Sequence, residues 1–196
     1  GERYNVSYSG YGAISDFAKT ADFMDAAYMR SLGEEMSEYT AFPDLGEDTD
    51  WLGLVSRTGW VQNHNISLEG GTESMTYSAN VSYRQNEGVI KGSFANDLRA
   101  QMDISQYLFD DILKLNFNML KSISESDNQS SYYIYHQAVT HNPTSPVYTA
   151  DGDYYEQTSP LYYYTPLPYI TGNEHFGQNR NESTRLTGNI TLEPIE

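Results

Sequence analysis

Few residues of this chain have the type and spacing that chemistry needs. The histidines are His64, His136, His141 and His175. His136 and His141 lie five apart in a tyrosine-rich segment, but a loop pair with no third ligand makes a poor metal site. Solvated or hydrogen-bonded histidine is the plainer reading. Asp48/Asp50 and Asp151/Asp153 have the alternate spacing of a calcium loop but lack the full oxygen set with its terminal bidentate Glu. They read as solvated acidic turns. The chain has no Cys, so neither a disulfide nor a thiolate site can form. No nucleophile, metal set or acid–base pair stands out, which points away from an enzyme and implies no cofactor.

Tyrosine is the residue in excess, at 18 of 196. Ten of these fall between Tyr132 and Tyr169, together with five of the seven prolines. A flat ring offers apolar area with one polar tip, which suits stacking on a sugar or a peptide. Tyr132, Tyr133, Tyr135, Tyr154, Tyr155, Tyr162, Tyr163 and Tyr164 are the candidate substrate-binding residues on this ground. The alternative is that they pack the loop against itself. A net charge of −16 argues against nucleic-acid binding, which needs Lys and Arg to displace counterions.

The elements that would carry these residues read as strands. Apolar residues alternate with polar ones with period two. Expected strands are roughly 3–14, 60–69, 75–85, 97–108, 112–122 and 185–192. Their apolar faces hold Tyr4, Val6 and Tyr8; Ile66 and Leu68; Tyr77, Val81 and Tyr83; Leu98 and Met102; Leu115 and Phe117; and Leu186 and Ile190. A short helix is expected over 22–32, capped by Thr20 and stopped by Gly33. Proline density makes 126–180 a long irregular loop, and 15–59 is a second long connection.

The returns after the second and fourth strands are tight, at Gly70–Glu73 and Asp110–Asp111, while the other connections are longer. Short turns at one end and long loops at the other fit an up-and-down outer-membrane barrel. A soluble secreted β-sandwich binding glycan through the tyrosine-rich loop is the alternative; such folds need not segregate loop lengths this way. No run of apolar residues is long enough for a transmembrane helix. No signal-peptide pattern opens the sequence, so an exported form takes its signal from upstream.

Several short motifs point the same way. They are TDW at 49–51, RTG at 57–59, NHNISLEGG at 63–71, Tyr77, NEGVIKGS at 86–93, Asn142-Pro143 and Asp151-Gly152-Asp153-Tyr154. In order and spacing the chain resembles the SusC/RagA family of TonB-dependent outer-membrane transporters. Arg99 and Asp103 fit the family pattern, whereas Asn96 and Asp97 stand where the family often has an Arg.

The resemblance implies an all-β, antiparallel meander of about six strands, part of a transmembrane barrel of about 22 strands. It implies that residues 1–196 are the first part of that barrel, without the plug domain. It further implies uptake of oligosaccharides or peptides across the bacterial outer membrane, a SusD-like surface lipoprotein over the long loops, contact with outer-membrane lipid, and energy from TonB through parts lying elsewhere.

Overall fold

A computed structural model describes residues 3–18, 20–33, 43–127, 131–156, 164–171 and 177–193. In chain order the elements are β1 (Arg3–Ser15), α1 (Ala26–Ser31), α2 (Trp51–Val55), β2 (Gly59–Gly71), β3 (Met75–Glu87), β4 (Phe94–Leu108), β5 (Leu113–Asp127), α3 (Ser131–Thr140), α4 (Pro168–Thr171) and β6 (Gln178–Leu192). The six strands form one antiparallel sheet in sequence order, β1-β2-β3-β4-β5-β6. This is the expected meander, and it is a single layer rather than a sandwich.

The register puts side chains of one character in rows across all six strands. One row is Val6, Leu68, Ala79, Met102, Met119 and Leu186. The row on its tight-turn side is Tyr4, Gly70, Tyr77, Ile104, Phe117 and Gly188. Between these two rows, on the opposite face, lie Asn5, Glu69, Ser78, Asp103, Asn118 and Thr187. Successive residues of a strand point to opposite faces, so the sheet has one apolar and one polar side. On the polar side Asn118 Nδ2 donates to Asp103 Oδ1 at 2.6 Å, Gln101 Nε2 to Asp103 Oδ2 at 2.9 Å and Ser105 Oγ to Asn116 Oδ1 at 2.8 Å.

Strand ends run beyond the apolar alternation. β5 continues to Asp127 rather than 122, and β6 begins at Gln178 rather than 185. Beyond Ile123 on β5 and before Arg185 on β6 both faces are polar, so no period-two signal marks these ends. Cross-strand charge supports them instead: Arg180 pairs with Glu125, Lys121 with Glu182, and Arg180 Nη2 lies 3.6 Å from Glu182.

The helices also differ from expectation. Asp25, not Thr20, caps α1, accepting from Tyr28 N–H at 2.6 Å. Asp50 caps α2 by accepting from Gly53 N–H at 2.9 Å. Residues 131–140, expected to be irregular, form α3, because no proline falls before Pro143. Its buried residues Ile134, Gln137 and Ala138 follow helical spacing.

Among the described residues, the buried apolar core lies outside the sheet. Trp51, Val55, Ile90, Ile134, Ala138 and Leu167 form one cluster at the long-loop end. The apolar sheet face is open by comparison: Tyr4 is 76%, Ile14 81% and Ile190 73% exposed.

Glycine is required where the first long loop enters β2. A Cβ on Gly59 would stand 2.6 Å from the Glu87 carbonyl oxygen and 3.0 Å from the Gly88 carbonyl carbon, whereas one on Gly188 meets nothing. Gly59→Ala is expected to destabilise the folded protein by about 1–3 kcal/mol through overpacking. Gly188→Ala should be neutral or stabilising by up to about 1 kcal/mol. Denaturant titration of both variants in detergent checks the contrast.

The loop cap as candidate functional site

The long loops close into a cap over one end of the sheet, and the short motifs build it. Thr49 Oγ1 donates to the Ser145 carbonyl at 2.7 Å, and Trp51 packs in the core with its Nε1–H donating to the Asn142 carbonyl at 2.9 Å. Asn142 returns the contact to the first loop. Its Nδ2 donates to the Pro43 carbonyl at 2.9 Å, while its Oδ1 accepts from Thr144 N–H at 2.9 Å and from Thr144 Oγ1 at 2.8 Å. Backbone bonds from Glu47 N to Thr144 O at 3.0 Å and from Thr49 N to Pro143 O at 2.9 Å complete the join.

Arg57 ties in the third connection. Its guanidinium donates to the Gly88 carbonyl through Nε and to the Ser93 carbonyl through Nη2, both at 3.0 Å, and pairs with Glu87 at 3.0 Å. Lys91 Nζ donates to the Leu54 carbonyl at 2.7 Å, and Ile90 enters the core. The motifs 49–51, 57–59, 86–93 and 142–143 are thus parts of one interlocked structure.

The motif at 151–154 makes a small hairpin. Gly152 takes φ +91°, and Thr149 N–H donates to the Asp153 carbonyl at 2.8 Å. The turn brings Tyr148 and Tyr154 into a stack, with centroids 5.2 Å apart and planes at 27°.

The candidate tyrosines divide by environment. Tyr135 is half-buried against the core and beside the rings of Phe17 and Phe23, each at 6.3 Å. Tyr133 sits edge-on to Tyr169 at 5.5 Å. Tyr154 and Tyr155 are half-buried in the hairpin. Tyr132 and Tyr164 face outward. Tyr162 and Tyr163 lie outside the described residues. Tyr148, absent from the sequence-derived set, is 55% exposed and stands on Tyr154. Its signal in the sequence is a tyrosine on either side of an Asp-Gly turn, here Tyr148 and Tyr154.

The two loop histidines face different surroundings. His136 is exposed beside Tyr132. His141 is buried edge-on against Trp51, with ring centroids 4.2 Å apart, and burial pushes its pKa down to about 4. Asp44 is held below its usual carboxylate range by the Arg30 guanidinium and the Gly46 N–H. Asp50 is occupied as a helix cap. Among the described residues no group of three or more His, Asp or Glu could hold a metal ion.

Asn142→Ala is expected to leave the Thr144 N–H without its side-chain acceptor and the Pro43 carbonyl with only the longer 3.2 Å bond from Thr144 Oγ1, costing about 1–3 kcal/mol of cap stability. Hydrogen exchange should show lost protection at the Glu47 and Thr49 amides, with the β3–β4 ladder unchanged.

No family model matches the sequence. Over 155 residues the chain is 26% identical to the TonB-dependent receptor SusC of Bacteroides thetaiotaomicron, covering 79% of this chain and 16% of that protein. Over 114 residues it is 29% identical to the TonB-dependent receptor P26 of Formosa agariphila, covering 57% of this chain and 11% of that one. It therefore spans a small part of these relatives. Its fold is similar to the RagAB peptide importer in the closed-closed state, with TM-score 0.69 at 16% identity, over 99% of this chain and 26% of that one. A second structure of the RagAB peptide transporter gives TM-score 0.68 at 14% identity, over 97% of this chain and 26% of that one. The relatives are receptors and importers, not enzymes. In its sequence motifs, its curated relatives and its fold, this chain is similar to the SusC/RagA family of TonB-dependent receptors.

Proposed function

We propose that the chain is a six-stranded stretch of barrel wall, with its surface loops, in a TonB-dependent importer of oligosaccharides or peptides in the bacterial outer membrane. The carrying observation is the inverted placement of apolar surface: the core lies in the loops, and the apolar sheet face is open. From Leu98 to Leu108 on β4 and from Leu113 to Ile123 on β5 are ten residue steps each. At about 3.4 Å per residue this is about 34 Å along the strand. Tilted by about 40°, such a segment rises about 26 Å, close to the apolar band of a transmembrane barrel.

The free edges of β1 and β6 would pair with further strands, since an open edge in lipid leaves backbone groups unsatisfied. The charges near the loop-side end of the apolar face, Lys121, Glu125, Arg180 and Glu182, neutralise one another, as a position near lipid demands. The cap would face outward toward a SusD-like lipoprotein, and energy would come through TonB from parts outside this chain. Uptake would be a conformational process rather than covalent chemistry. Tyr132, Tyr164 and Tyr148, the outward rings, would meet substrate first, while Tyr133 and Tyr135 hold the cap together.

Orientation can be tested by cysteine labelling because these 196 residues hold no Cys, with any Cys elsewhere in the full-length receptor first replaced by Ser. In the full-length receptor, Asp151→Cys should react with an impermeant maleimide on intact cells. Asp110→Cys, in the β4–β5 turn, should react only after the outer membrane is permeabilised. Labelling of Asp110→Cys on intact cells would sink the reading.

The tyrosine assignment has its own test, by calorimetry of the receptor with the oligosaccharides or peptides whose uptake it supports. Tyr132→Ala and Tyr164→Ala should each weaken ligand binding by about 1 kcal/mol, the stacking scale for one ring. Tyr135→Ala should instead lower the yield of folded receptor.

A further inference from the structure

Among the described residues, His141 is the one buried titratable side chain of the cap that the interlock's hydrogen bonds do not use. It is 4% exposed, and neither ring nitrogen has a hydrogen-bond partner among the described residues. It lines a pocket of about 180 Å³ together with Met24, Met29, Val139, Thr140, Asn142 and Pro143. Met29 is buried on α1, and Met24, 46% exposed, precedes it.

The chemistry of this lining is specific. Two thioethers and an imidazole are soft or borderline ligands, and no carboxylate faces the pocket among its described lining residues. Thioether and imidazole donors without oxygen anions favour a soft monovalent cation over Ca²⁺, Mg²⁺ or Zn²⁺. An ordered water would need two to four polar partners. The Asn142 amide is already committed to Pro43 and Thr144, and the Thr140 hydroxyl donates to the His136 carbonyl at 2.6 Å. The Trp51 indole lies against the other side of the imidazole, so a cation here would be shielded from solvent on the core side.

We propose that this pocket binds one soft monovalent cation, Cu(I), through the thioethers of Met24 and Met29 and one ring nitrogen of His141. The partly exposed Met24 is the entry side. The cation would cross-link α1 to the end of α3 and so add a further tie between the 15–59 and 126–180 loops.

The test uses the purified full-length receptor in detergent, titrated under ascorbate against the Cu(I)–bicinchoninate complex. The wild-type protein should withdraw one more equivalent of Cu(I) than the Met24→Leu/Met29→Leu variant, whose near-isosteric side chains keep the packing. His141→Phe, which keeps a ring against Trp51, should lose the same equivalent. Circular dichroism melting without metal confirms that both variants fold. Copper should raise the melting temperature of the wild-type protein only. The proposal is overturned if the wild-type and double-leucine proteins withdraw equal amounts, if none is withdrawn, or if a structure of the copper-treated protein holds only a water beside His141. None of these outcomes bears on import, so the orientation test stands apart.

Discussion

The buried contact between Trp51 and Asn142 sets the geometry of everything above the sheet. The indole fills the centre of the only apolar cluster among the described residues, and its N–H would be an unsatisfied buried donor without the Asn142 carbonyl. Asn142 in turn stands before Pro143, whose ring removes a backbone donor and ends the run of α3. The asparagine amide then closes onto Pro43 and Thr144. Residues nearly a hundred positions apart in sequence are thereby fixed as one body. Joining them closes a long loop, an entropic cost that grows slowly with loop length. Several buried hydrogen bonds and one large aromatic core residue are the terms that offset it.

This arrangement follows from what the sheet lacks. A water-soluble β-protein lays its apolar face on another layer, and that layer is its core. Here a single sheet carries the apolar rows, so burial within the chain must be found elsewhere. The loops supply it, with helix α3 covering α2 and Ile90 reaching up from the β3–β4 connection. The polar face needs no such cover, because Asn, Ser and Gln side chains bond one another across strands, as Asn80 does with Ser67 at 3.2 Å.

The middle of each strand was legible in the sequence because only there do the two faces differ in polarity. Val6, Leu68, Met102 and Leu186 stand out against polar neighbours such as Asn5, Ser67, Gln101 and Thr187. At Asn179–Ser183 both faces are polar, and the strand is held by pairing to β5 and by ion pairs, which leave no local pattern. Helix α3 was hidden for another reason. Tyr132, Tyr133 and Tyr135 favour strands by propensity, and tertiary burial of Ile134 and Ala138 overrides that preference. The candidate tyrosines were legible as a cluster but not as two populations, since packing inward or facing outward is decided by partners such as Phe17 and Tyr169, remote in sequence.

The motifs that carry the family resemblance have a structural reason that is independent of any ligand. Gly59 and Arg57 are dictated by the close approach of the Glu87–Ser93 connection, and Asp50 and Gly53 by the first turn of α2. A Cβ on Gly53 would stand 2.4 Å from Asp50 Oδ2, the same group that caps the helix. Substituting such residues would loosen the cap, whatever its outer face contacts. Contact with other molecules is left to exposed side chains outside that interlock. Tyr28, Tyr132 and Tyr148 are exposed rings on a frame whose geometry is set by other residues. Rigid placement makes them useful, because a ring already held in position loses little conformational freedom when it meets a ligand. The division of labour explains how one loop cap can keep its motifs while changing what it contacts.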